Sequence, residues 1–399
     1  MKRFVALAIA LYAVVLGSLI AASQQAPAKA GDGQQIFRFD TFGDEQLWTK
    51  TLRMHEAIAT VSPETALAVG LKVDVDALPV AVVEALKAGQ VNLKDPAVTL
   101  QLLSANAVVG VVGRVNDGRL ESVGITCALC HSTVDNSLTK GVGKRLDGWA
   151  NRDLNVGAIV ALSPVLTDTQ RGVFKSWGPG KYDPRLQAFD GTTLRSLNAT
   201  SVPVVLPAIF GLRGVEFETY TGDGPISYWN AYVGVGQMGG QGNFHDPRIG
   251  LEITQSPDLV TSKLPALLAY QLSLPAPPPP AGSFDRAAAG RGQALFNSSA
   301  KCATCHVPPS FTDVTRNKGS KTPFLHSPAE IGADPAYALR TATKMYRTAP
   351  LRGVWQHPPY FHDGRAADLM AVVNHYDTLL SLGLTAAQKA DLVEYLKSL

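Results

Sequence analysis

Apolar positions recur at helical spacing in the first part of this chain and again in its last third, and lose that regularity between. Asp44-Glu45 open a stretch in which Leu47, Leu52 and Ile58 return to one side, which predicts a helix begun by acidic residues. Ser62-Pro63-Glu64 predicts a second helix with proline at its first position. Leu78-Pro79 to Lys87 predicts a third, and Asp95-Pro96 starts a fourth that runs to about Asn106. Val108 to Val115 is rich in β-branched residues and predicts a short strand, ended by Asn116-Asp117-Gly118. From Thr133 to Pro257 the chain is rich in Gly, Pro and Asn and has few clear periods. Helical spacing returns from Thr261 to Leu274 through Leu264, Leu267, Leu268 and Leu272. An Ala/Gly helix follows to Phe296. Thr385-Ala386-Ala387-Gln388 then opens a closing helix by a capping box, with Leu392, Tyr395, Leu396 and Leu399 on its apolar side.

The sharpest boundary is the proline run from Pro275 to Pro280, which favours extended, semi-rigid backbone. It divides the chain into a first domain over 31–274, a linker over 275–283 and a second domain over 284–399. Residues 1–30 carry Lys2-Arg3, an apolar run from Phe4 to Ala22 and the small-residue site Ala28-Lys29-Ala30. That is the pattern of a secretory signal cut before Gly31. The run is also long enough to remain as an N-terminal membrane anchor, and both readings export the body of the protein. Residues 31–36, rich in Gly and Gln, read as a mobile leader. Hydrophobic content of 46% and charged content of 17% give an ordinary globular composition. A formal charge of only +3, with no basic stripe, excludes a nucleic-acid binder.

The candidate chemistry sits in two five-residue stretches. Cys127-Ala128-Leu129-Cys130-His131 is echoed by Cys302-Ala303-Thr304-Cys305-His306, and these use all four cysteines of the chain. Cys-x-x-Cys-His is the attachment signature of c-type haem. The two thiols form thioethers with the porphyrin, and the adjacent imidazole becomes the proximal iron ligand. A disulfide leaves the repeated His unexplained. A zinc ribbon brings its Cys pairs much closer together in sequence. The chain therefore implies two covalently bound c-type haems, which also places it in an exported, periplasmic or secreted compartment. Helix, motif, loops and closing helix make the plan of a small cytochrome c domain. The fold expectation is mainly α, with two cytochrome c-like haem domains and long irregular loops.

Further motifs narrow the class. Arg347-Thr348-Ala349-Pro350-Leu351-Arg352-Gly353, Pro359-Tyr360-Phe361-His362-Asp363-Gly364 and Val372-Val373-Asn374-His375-Tyr376 resemble the bacterial di-haem cytochrome c peroxidase superfamily, which includes the methylamine-utilisation di-haem enzyme. Phe37 to Gly43, Gly143 to Gly148 and Leu154 to Ile159 are similar to the rubber-cleaving di-haem oxygenases. This resemblance implies a helical two-domain fold with the haems facing each other, one catalytic and one supplying or storing electrons. It implies an oxidoreductase using peroxide or dioxygen, served by a small redox donor such as a cytochrome or cupredoxin and acting on peroxide, dioxygen or a small organic substrate. The rival class is a non-catalytic electron-transfer cytochrome.

Axial ligands decide between these roles. Eight His occur, and apart from His131 and His306 they are His55, His245, His326, His357, His362 and His375. No His lies between His131 and His245, and no Met until Met238. The haem on His131 is therefore expected to keep an open face and to be the reactive centre, with His55, His245 and Met238 as residues able to close it. For the haem on His306, the resemblance places the distal ligand at Tyr376, with His375 beside it; Met370 and His362 also compete. Lys140, Lys144, Arg145 and Arg152, close behind the first motif, are either solvated or paired with haem propionates. Trp177 and Trp229 are candidates for electron relay or for ordinary core. The superfamily's peroxidases carry a glutamate after a Trp-Asp-Gly-Arg-like segment. The loosely matching stretch Gly222 to Asn230 has none, and Glu216 and Glu218 just before it are the available acids.

Overall fold

The computed structural model describes residues 30–197, 200–215, 217, 219–315 and 322–399. The apolar run from Phe4 to Ala22, with the signal or anchor expectation resting on it, lies outside the described residues, as do Glu216 and Glu218. Among the described residues no helix is long and apolar enough to cross a membrane.

The Gly/Gln-rich start is not a mobile leader. Ala30–Phe39 is one helix packed against the helix Leu264–Ser273. A Cβ at Gly33 would lie 2.0 Å from the Ala266 carbonyl oxygen, so glycine serves close helix contact here rather than freedom. Phe37 is fully buried, its ring 5.4 Å from that of Tyr270. The helix expected from Leu47 to Ile58 is split. Gln46–Thr51 is wound as a π-helix, Arg53 turns left-handed at φ 53°, and Met54–Ile58 restarts. Leu47, Trp48, Leu52 and Met54 on either side of the break enter one core.

Local signals elsewhere are followed closely. Ser62 caps Pro63–Ala68, Asp95 caps Pro96–Ser104, and the third expected helix forms at Val80–Lys87. Val111–Asn116 pairs antiparallel with Arg119–Ile125. Asp117 at φ 48° and Gly118 at φ 72° make the two-residue turn, whose left-handed pair matches strand twist. The stretch without periodicity holds short strand pairs between the helices Val156–Val160, Asp168–Lys175 and Ile226–Tyr232. Among the described residues six two-stranded sheets are formed, with every strand between Val73 and Ile253. Helices alone therefore do not describe the first half. Short strands suit segments where Gly and Pro stop helices before they can propagate.

Residues from Phe296 to Leu396 build a core cluster of their own around Phe296, Val373, Leu392 and Tyr395. Arg286–Phe296, capped by Asp285, lies on Ala386–Lys397, whose capping box of Thr385 and Gln388 is formed as expected. Their backbones nearly touch at Gly292, where a Cβ would stand 2.0 Å from the Asp391 carbonyl oxygen. The proline run lies against both parts of the chain. A Cβ at Gly211 would stand 3.1 Å from the Ala276 Cβ, and Trp355 Nε1 donates to the Pro277 carbonyl at 3.2 Å.

Candidate functional site

The first motif occupies a short helix, Ala128–His131, directly after the hairpin. Gly110, at φ +77°, lets the hairpin's entry approach: a Cβ there would lie 2.1 Å from the Leu129 nitrogen. Ser132–Val134 leaves the motif and pairs with Arg145–Asp147. Asp147 binds this region together, accepting from Ser132 Oγ at 2.7 Å, Arg38 Nε at 2.6 Å and Tyr270 Oη at 2.5 Å. Cys127 and Cys130 pack against two different core clusters, and burial pushes both thiols up to about 12. His131 points Nδ1 at the Pro207 carbonyl, 3.0 Å away. Burial lowers this imidazole to about 4, which keeps it neutral.

The second motif follows Lys301, left-handed at φ 56°, on the single turn Cys302–Thr304. His306 repeats the arrangement of His131. Its Nδ1 lies 2.9 Å from the Phe311 carbonyl, and burial lowers its pKa. In both histidines an Nδ1–H bonded to a carbonyl leaves Nε2 with the lone pair that a metal needs. Beside Cys302, Cys305 and His306 opens a cavity of about 310 Å³. Its walls are chiefly apolar and include Phe296, Val373, Leu392 and Leu396. Paired thiols, an imidazole bonded through Nδ1 and a greasy cleft are the donor set and surroundings that a covalently held haem requires.

The helix Leu369–Leu379 lines the same cavity, with Leu369, Val372, Val373 and Tyr376 turned to it at helical spacing. Tyr376 is buried enough that its phenol rises to about 12. The other three candidate ligands are placed differently. His375 faces away from the cavity lining, its Nε2 3.0 Å from the Ile331 carbonyl. His362 lines the cavity but its Nε2 is 3.0 Å from Tyr346 Oη. Met370 is half-buried, one position beyond Leu369 and off the lining face.

On the first side, His245 is exposed and sits 2.7 Å from Glu252. Met238 is buried in a core cluster, its carbonyl taken by Trp48 Nε1 at 2.9 Å. His55 keeps a buried Nδ1 without a partner among the described residues. Lys140 and Lys144 are exposed, and Arg145 pairs with buried Asp74 at 3.0 Å. Arg152 alone of these four lines the second motif's cavity.

One segment touches both motifs. The Pro207 carbonyl faces His131, while Pro207, Ala208 and Phe210 line the cavity of the second motif. Val205 N–H donates to the His362 carbonyl at 2.7 Å. Two indoles meet beside it: Trp149 and Trp355 stand edge to face with centroids 6.1 Å apart. Trp149 follows Gly148, whose N–H donates to the His131 carbonyl at 2.8 Å. Trp177, by contrast, is core, packed on Phe174 and Tyr182, and Trp229 lies under the Arg185 guanidinium. Sequence reasoning selected Trp177 and Trp229 and passed over Trp149 and Trp355. The nearness of Trp149 to the first motif in sequence was the one available signal.

His326 was left without a role by the sequence. It is buried between Asp313, at 3.2 Å from Nε2, and Glu330, at 2.8 Å from Nδ1. Asp313, then Cys305 and Glu330, raise it to about 11. The charged form is therefore favoured by folding, and the stability it contributes is complete below about pH 6.5, its ordinary value. That contribution is lost as pH rises toward about 11. Urea midpoints should fall between roughly pH 7 and 10, and His326→Leu should flatten that slope; equal slopes would remove His326 as the cause.

No family model matches the chain. It is similar to the methylamine utilization protein MauG of Methylorubrum extorquens, 34% identical over 122 residues, covering 28% of this chain and 33% of that protein. The chain thus matches about a third of the length of this curated relative. Among solved structures, Kuenenia stuttgartiensis hydrazine synthase aligns with 24% identity and a TM-score of 0.31, over 50% of this chain and 74% of that one. A MauG-like protein associated with microbial copper homeostasis aligns with 19% identity and a TM-score of 0.33, over 55% and 85%.

Proposed function

We propose that this relative of the di-haem cytochrome c peroxidase and MauG superfamily is an exported oxidoreductase carrying two covalent c-type haems. The observation that carries the reading is the shared posture of His131 and His306. Each is half-buried and bonded through Nδ1 to a backbone carbonyl, so that each presents Nε2. Cys127 and Cys130 would hold the first haem, and Cys302 and Cys305 the second. A haem held there would supply one-electron chemistry and the binding of peroxide or dioxygen.

The protein's own residues support an unequal pair. On the His131 side, the exposure of His245 and the core packing of Met238 support an open, reactive position. On the His306 side, Tyr376 lines the cavity with its hydroxyl not taken by a His or Tyr partner among the described residues, which supports it as distal ligand over His375, Met370 and His362. Trp149 and Trp355, rather than Trp177 and Trp229, support electron passage between the two motifs. A small cytochrome or cupredoxin would deliver the electrons. The periplasm, or the outside of the cell, would be the setting.

Two measurements test this. Hydrogen peroxide added to the reduced protein should be consumed quickly, with two electrons withdrawn and two protons taken up for each peroxide reduced to water. Slow bleaching without turnover would favour the non-catalytic carrier. In electron paramagnetic resonance of the resting protein, Tyr376→Phe should alter the low-spin signal and leave the high-spin one in place. An unchanged low-spin signal would take Tyr376 off the iron.

A further inference from the structure

Arg152 belongs by sequence to the first motif, since the N–H of its neighbour Asn151 donates to the Cys130 carbonyl at 2.9 Å. Its side chain nevertheless lines the cavity of the second motif. There its Nη2 reaches the His357 carbonyl at 3.3 Å, while Nε and Nη1 are buried with no partner among the described residues. His357 lines the same wall, and its Nδ1 is likewise buried and unpartnered among the described residues. The neighbouring hydroxyls are already committed: Tyr220 Oη donates to the Val205 carbonyl at 2.8 Å, and Tyr360 Oη to the Val354 carbonyl at 3.0 Å. Phe210 and Tyr360 rings, each 6.1 Å from the His357 ring, close the surroundings.

A guanidinium removed from water with two N–H groups unanswered is costly, and an anion that accepts from it removes the cost. Guanidinium and imidazole donors converging on one wall suit a carboxylate, for which charge-assisted bonds are the strong ones. We infer that Arg152 and His357 together hold a haem propionate of the second motif's haem, so that the loop behind the first motif completes the second site. This rests on the haem reading above. Each part of the chain then contributes one donor to the same carboxylate, and loading of the cavity ties the two parts together. Arg152 and His357 act as positioning residues, and the positive charge of Arg152 opposes the propionate's stabilisation of ferric iron.

The test is spectroelectrochemistry of the haem-loaded protein, with haem content measured alongside. Arg152→Gln should keep both haems and lower the reduction potential of the second one. Arg152→Lys should recover most of the loss. His357→Leu should give a smaller fall, and the double variant less than the sum of the two, because both act on one carboxylate. An unchanged potential in Arg152→Gln overturns the inference; should that variant not fold, an unchanged potential in His357→Leu does so. Acetate that saturably shifts the wild-type spectrum, and no longer does so in Arg152→Lys, would show a site for free anions and overturn it too. A wild-type protein lacking a second haem would instead sink the functional reading.

Discussion

Covalent haem per chain is expected to fall by half when Cys302 and Cys305 are both replaced by alanine. The two thiols stand on one turn at the mouth of the cavity, and nothing else in the chain can form the thioethers, since the remaining cysteines belong to the other motif. His306 keeps its bond to the Phe311 carbonyl, so iron ligation alone does not rescue a haem stain on a denaturing gel. Denaturation breaks a coordinate bond and leaves a thioether intact. Quantitative haem staining and a pyridine haemochrome assay measure the change. Full staining of the double variant would mean that the second motif carries no covalent haem.

Asp223→Ala should destabilise the protein by about 3–5 kcal/mol, the cost of leaving one member of a buried ion pair alone. Asp223 pairs with Arg185, and both side chains are almost wholly buried. Asp223 also accepts from the Thr343 N–H at 3.1 Å, which joins the Gly222 to Asn230 stretch to the second part of the chain. Arg185 also lies over the Tyr232 ring at 4.6 Å, which does not replace the lost charge. Replacing both partners with apolar residues, Arg185→Met with Asp223→Leu, should return much of the loss. Denaturant unfolding of the haem-loaded variants reports it. A single variant within about 0.5 kcal/mol of the wild type would mean that solvent reaches the pair.

The Asp223 segment also bears on chemistry. Gly222 to Asn230 resembles the peroxidase stretch that carries an acid, and the carboxylate found there is Asp223, locked to arginine rather than free to move protons.

What the sequence determined by itself was local. Both Cys-x-x-Cys-His motifs, the caps at Ser62, Asp95, Asp285 and Thr385, and the turn at Asp117-Gly118 depend on residues a few positions apart, and such interactions leave a readable pattern. Contacts between distant residues were decided only by the tertiary structure. Gly33 reads as a flexible leader until the Leu264–Ser273 helix is laid on it. Tyr376 and His375 are adjacent in sequence, and only the direction of one helix face separates a cavity wall from a carbonyl contact. Arg152 and His357 stand 205 positions apart, and no spacing rule joins them. Burial makes them partners, because a charge taken out of water must be answered by whatever the fold brings within reach.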